Sequence, residues 1–126
     1  MNENVKNSTN AYSNEPLSVL IIDDDESIRV SLTFHFDDCG FKTYSVETAE
    51  EALDLMENVL VNSVIVDLRL PGIDGIEFIR QASNRWPDAR YVIYTGSSIA
   101  SIPDEILSIS SVSSKLFLKP LAICLN

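Results

Sequence analysis

The sequence predicts an α/β domain built around a parallel sheet, and three observations carry that reading. From Leu17 onward, short apolar runs alternate with stretches of helical periodicity. The run from Leu17 to Ile22 is apolar on both faces apart from Ser18, and the run from Asn62 to Asp67 carries Val64, Ile65 and Val66 as its buried centre. Strands covered by helices on both sides read that way. Glycine and proline fall between the runs, at Gly40, Pro71-Gly72 and Pro87, where the chain must turn.

Each element follows from a local signal. After the first strand, Ile28, Leu32 and Phe36 recur at spacing four, which predicts a helix over 26–39 that Gly40 stops. Phe41 to Ser45 alternates as a second strand nearer an edge. Thr48-Ala49-Glu50-Glu51 is a capping box, and Ala49, Leu53 and Met56 give the following helix its apolar face. The third strand, 62–67, leads through Leu68-Arg69-Leu70-Pro71-Gly72-Ile73-Asp74-Gly75 to a helix carrying Phe78, Ile79 and Ala82. Pro87 ends that helix by disfavouring α geometry at Trp86. A fourth strand spans 91–95, and Pro103 with Asp104 and Glu105 marks a fourth helix start. A fifth strand spans 116–118, and only 121–126 remain, so a fifth helix would be truncated to little more than one turn. Residues 1–16 are polar and aperiodic and read as a flexible tail, with one domain over 17–126.

Composition narrows the function classes. Nine basic against nineteen acidic residues leave a net charge of −10, which disfavours direct contact with nucleic acid or an anionic membrane. The apolar runs fall short of the ~20 residues that span a bilayer. No basic start followed by an apolar core precedes the domain, so the cytoplasm is the expected compartment. Cys39 and Cys124 fit neither zinc spacing nor a disulfide framework, and Cys39 reads as a small buried apolar side chain.

Open parallel sheets carry their reactive residues beyond the carboxyl ends of the strands. Asp23 and Asp24 follow the first strand, Asp67 ends the third, Thr95 the fourth, and Lys119 follows the fifth. Clustered carboxylates repel one another unless a cation neutralises them, and magnesium suits an all-oxygen site that retains waters. Phosphoryl transfer needs an oriented nucleophile and positive charge on the transferring oxygens. Asp67 supplies a nucleophile able to form an acyl phosphate, the metal and Lys119 the charge, and Thr95 a hydrogen bond.

The segments Val19-Leu20-Ile21-Ile22-Asp23-Asp24-Asp25-Glu26, Val64-Ile65-Val66-Asp67-Leu68-Arg69-Leu70-Pro71-Gly72-Ile73-Asp74-Gly75, Tyr94-Thr95-Gly96 and Phe117-Leu118-Lys119-Pro120, in that order, resemble a response-regulator receiver domain of two-component signalling. The likeness covers 17–121. It implies a flavodoxin-like, doubly wound five-stranded parallel sheet in the order 2-1-3-4-5. It implies that Asp67 accepts a phosphoryl group from a sensor histidine kinase or histidine phosphotransfer protein. Asp24, Asp67 and the main-chain carbonyl of Arg69 would bind Mg2+ directly, with Asp23 holding a metal water. Thr95 and Lys119 would bind the phosphoryl group. The chain would be a signalling phosphoacceptor rather than an enzyme, serving an output domain or partner that these residues do not identify, and a homodimer is one assembly the family allows. Leu116 stands where the family carries Phe or Tyr, and Phe117 should face the other side of its strand.

Two other readings fit part of the sequence. Asp23-Asp24-Asp25 also fits the start of a haloacid-dehalogenase-like phosphatase, but that leaves Asp67 and its Pro-Gly loop without a role. An unphosphorylated pseudo-receiver acting as an interaction module fits Leu116, and is opposed by the presence of Asp67, Thr95 and Lys119 together. Asp25, Glu26 and Asp74 read as helix-start residues, His35 as a partly buried neutral side chain, and Trp86 as helix-end packing.

Overall fold

A computed structural model describes residues 16–95, 102–112 and 117–118. The first strand, β1 (Ser18–Ile22), is buried along its whole length. Its one polar residue is satisfied: the Ser18 N–H donates to Asn62 Oδ1 at 2.8 Å and its hydroxyl to the Leu60 carbonyl at 2.8 Å. Leu17, expected in this strand, lies outside it and is 42% exposed.

Helix α1 (Glu26–Asp38) begins at Asp25, whose carboxylate accepts from Ser27 N–H at 2.9 Å. It buries Leu32 and Phe36, with Ile28 packed beside them, and each such burial contributes about 1.5–3 kcal/mol. Gly40 ends it with φ 95°, a left-handed conformation that glycine adopts without a Cβ clash. Cys39 is half-buried and disulfide-bonded, its partner lying outside the described residues. This corrects the expectation of a buried, merely apolar side chain.

The second strand, β2 (Lys42–Val46), has no fully buried residue, as an edge strand should. In α2 (Ala49–Asn58) the capping box is formed in both directions, and Ala49, Ala52 and Met56 are buried. Strand β3 (Ser63–Val66) leads to α3 (Gly75–Arg85), capped by Asp74 and burying Phe78, Ile79 and Ala82. Trp86 ends α3 half-buried, its ring 4.3 Å from the Arg85 guanidinium carbon. Strand β4 (Arg90–Thr95) and β5 (Phe117–Leu118) complete the sheet. Between them α4 (Asp104–Leu107) is a single turn beginning after Pro103, where the sequence places a helix start. Position 116 and residues 119–126, where a truncated fifth helix is expected, lie outside the described residues.

The strands are parallel, in the order β2-β1-β3-β4-β5. Alternation along them divides the core. Leu20, Ile22, Val64, Val66, Tyr91 and Ile93 pack with α2, α3 and Ile106 of α4, whereas Val19, Ile21, Ile65, Val92 and Tyr94 pack with Leu32 and Phe36 of α1. Among the described residues, no helix is long and apolar enough to cross a membrane.

Candidate metal centre

Sheet register brings the acidic residues together. Ile22 at the end of β1 pairs with Val66 at the end of β3, on one side, and with Val46 of β2 on the other. The next residues therefore leave the sheet side by side, at the point where strand order reverses. Asp67 N–H donates to the Ile22 carbonyl at 3.1 Å, and Asp23 N–H to the Val46 carbonyl at 3.2 Å.

Carboxylate oxygens of Asp23, Asp24 and Asp67 lie within 4.8 Å of one another. Asp23 is 1% exposed and Asp67 5%, while Asp24 opens to solvent. Two charges about 5 Å apart repel by roughly 3 kcal/mol at an effective dielectric near 20, so the set favours a cation among its oxygens. Hard carboxylate oxygens are the donors magnesium, calcium or manganese prefer. The three carboxylates could therefore hold a metal ion.

Hydrogen bonds orient these side chains. Asp23 Oδ1 accepts from Asp25 N–H at 2.9 Å, and Asp67 Oδ1 from Arg69 N–H at 3.2 Å. Asp25 itself is the α1 cap, as the sequence indicates, and Arg69 is exposed. Thr95 closes β4, paired with Leu118 of β5, so its backbone ends on the same rim. Lys119 lies outside the described residues.

Three contributors were not singled out in the sequence. Gly75 opens α3 directly on the backbone of Asp67: a Cβ there would meet the Asp67 carbonyl oxygen at 2.3 Å and Leu68 Cα at 2.7 Å. In the sequence the Asp-Gly pair at 74–75 carries only the signal of a turn and helix cap. Glu50 of α2 accepts from Ile73 N–H at 3.3 Å and so holds the loop after Asp67. Arg29 of α1 donates to the Asp23 carbonyl at 2.8 Å. Neither of the last two has a local signature, because each spans elements.

Residues 19–121 match the family model of the response regulator receiver domain. Response regulator MprA of Mycobacterium sp. (strain KMS) is 31% identical over 111 residues, covering 86% of this chain and 46% of that protein. Sporulation initiation phosphotransferase F of Bacillus subtilis is 31% identical over 77 residues, covering 61% of this chain and 62% of that protein. The chain thus spans about half the length of the first of these relatives. The crystal structure of a CheY-like response regulator receiver domain protein from Methanospirillum hungatei JF-1 superposes with a TM-score of 0.75 at 25% identity, covering 85% of this chain and 84% of that one. Sheet order, clustered carboxylates and sequence likeness converge: this chain belongs to the response regulator receiver domain family.

Proposed function

We propose that this chain is a phosphoacceptor that takes a phosphoryl group onto Asp67 from a phosphohistidine of a sensor kinase or phosphotransfer protein. The observation that carries the reading is the buried Asp67 carboxylate, held beside Asp23 and Asp24 at the strand-order reversal. A carboxylate oxygen of Asp67 attacks phosphorus in line, the phosphorus–nitrogen bond of the donor breaks, and the imidazole leaves with the bonding pair. Burial at the rim excludes bulk water from the acyl phosphate and fixes the angle of attack.

Mg2+ fits the donor set and, when bound, would supply positive charge against the phosphoryl oxygens. Asp24 and Asp67 would bind it directly with the Arg69 carbonyl, and Asp23 through a water. Thr95 would donate its hydroxyl to one phosphoryl oxygen and Lys119 its ammonium to another. The name of the Bacillus relative, a phosphotransferase, supports a transfer role, and transcriptional regulators among the relatives support an attached or separate output. The phosphohistidine donors are charged from ATP, which makes the cytoplasm the place of action.

Intact-mass analysis after incubation with a small phosphodonor and Mg2+ tests this. One phosphoryl adduct is expected on the wild type, none on Asp67→Asn and none in EDTA. An adduct on the Asn variant would move the acceptor elsewhere, and none on the wild type would favour the unphosphorylated interaction module.

A further inference from the structure

The turn that carries Asp23 and Asp24 is held from three directions. From the sheet, Asp23 N–H reaches the Val46 carbonyl, and within the turn Asp25 N–H reaches Asp23 Oδ1. From α1, Arg29 Nη1 donates to the Asp23 carbonyl at 2.8 Å while Nη2 stands 3.6 Å from Glu47 Oε2, just beyond β2. The Arg29 side chain is 14% exposed, against 61% for Glu47. Glu47 is anchored in turn, its N–H donating to Glu51 Oε1 at 2.9 Å. One guanidinium therefore joins the residues that follow β1 and β2, at the turn that carries Asp23 and Asp24.

That carbonyl is a lever. It belongs to the rigid peptide plane joining the α-carbons of Asp23 and Asp24, so fixing its oxygen fixes how both side chains leave the backbone. A guanidinium also carries charge, and near clustered carboxylates that charge competes with an incoming cation. The two effects have opposite signs, which makes them separable. Resting on the receiver reading above, we infer that Arg29 is a positioning residue for the metal site. Its hydrogen bond to the Asp23 carbonyl presents Asp23 and Asp24 toward Asp67, and this outweighs its own competition with the metal.

Calorimetric titration of the full chain with MgCl2 at low and moderate salt, beside thermal unfolding in EDTA, decides the matter. Arg29→Gln should weaken Mg2+ binding roughly tenfold, in the range of lost outer-shell partners. Arg29→Lys, which keeps the charge but cannot span both partners, should weaken it by about threefold. If Arg29→Gln binds Mg2+ as tightly as wild type while melting lower, the residue is structural only. If it binds more tightly, charge dominates. Either result overturns the inference. Should Arg29→Gln fail to fold, Arg29→Lys carries the test, because unchanged affinity there is what a charge-only role requires. A wild type that does not bind Mg2+ at all would instead overturn the receiver reading on which the inference stands.

Discussion

Replacing Gly75 with alanine should damage the site from behind. The added Cβ would stand 2.3 Å from the Asp67 carbonyl oxygen, 2.7 Å from Leu68 Cα and 3.0 Å from the Asp67 carbonyl carbon. Ordinary carbon–oxygen approach begins at about 3.3 Å, so backbone must separate from backbone by roughly 1 Å. No flexible side-chain tip is available to yield, and the Gly75 N–H bond to the Leu68 carbonyl, now 3.1 Å, stretches with the movement. Overpacking of this kind costs about 1–3 kcal/mol, and each kcal/mol lowers the melting temperature of a domain near this size by about 4–8 °C. The displacement falls on the residue proposed to be phosphorylated, where a shift near 1 Å can slow a reaction about 100-fold. Gly40→Ala is the matched control. With φ 95° and nothing within 4 Å of the added Cβ, it incurs only the left-handed backbone penalty, about 1–2 kcal/mol. Thermal unfolding and the initial rate of labelling by a small phosphodonor should show both variants destabilised and only Gly75→Ala slowed. Equal labelling rates in the two variants would refute the link between this contact and the position of Asp67.

Three other outcomes are expected. Asp24→Ala should lower Mg2+ affinity about tenfold or more, with little change for Asp25→Ala, which loses a helix cap worth about 1 kcal/mol instead; equal losses on calorimetric titration would contradict the ligand assignment. The Tyr91 hydroxyl, donating to the Ala82 and Trp86 carbonyls, has its pKa raised by burial. The folded state then holds this proton more tightly than the unfolded chain. Stability should fall as pH rises past about 10, where the unfolded phenol begins to ionise, and urea unfolding should show that decline absent in Tyr91→Phe. Finally, Thr95→Ala should abolish the chemical-shift changes induced by beryllofluoride, while Leu116→Ala should barely alter them, since burying Leu116 gains at most about 1–2 kcal/mol; the reverse pattern would reassign the switch.

Much of the fold was legible because local chemistry and global packing agree. The unbroken apolar run from Val19 to Ile22 demands cover on both faces, Thr48 and Glu51 write a helix start, and Gly40 writes a helix end. The acidic triad was legible for a topological reason: residues that follow adjacent parallel strands must meet. Less visible was whatever depends on distance across the chain. Val112 pairs with Tyr91 in an isolated bridge that no local pattern announces. The α4 signal at Pro103, Asp104 and Glu105 marks where a helix begins but not that it ends after one turn. Arg29 sits at an ordinary helical position, and only the folded turn reveals a carbonyl within its reach. Gly75 looked like turn chemistry, since its requirement comes from a backbone eight residues earlier.

The seam between Ser18 and Asn62 ties together the amino ends of two neighbouring strands. Both groups of Ser18 reach Asn62 Oδ1, the Asn62 N–H returns a bond to the Ser18 hydroxyl, and the Leu60 carbonyl joins them. This stitching lies at the amino ends of β1 and β3, the full length of the sheet away from the carboxylates. Side-chain bonding between strands and the acidic cluster thus occupy opposite ends of the sheet. A substitution at Ser18 or Asn62 therefore acts at the end of the sheet opposite to the carboxylates.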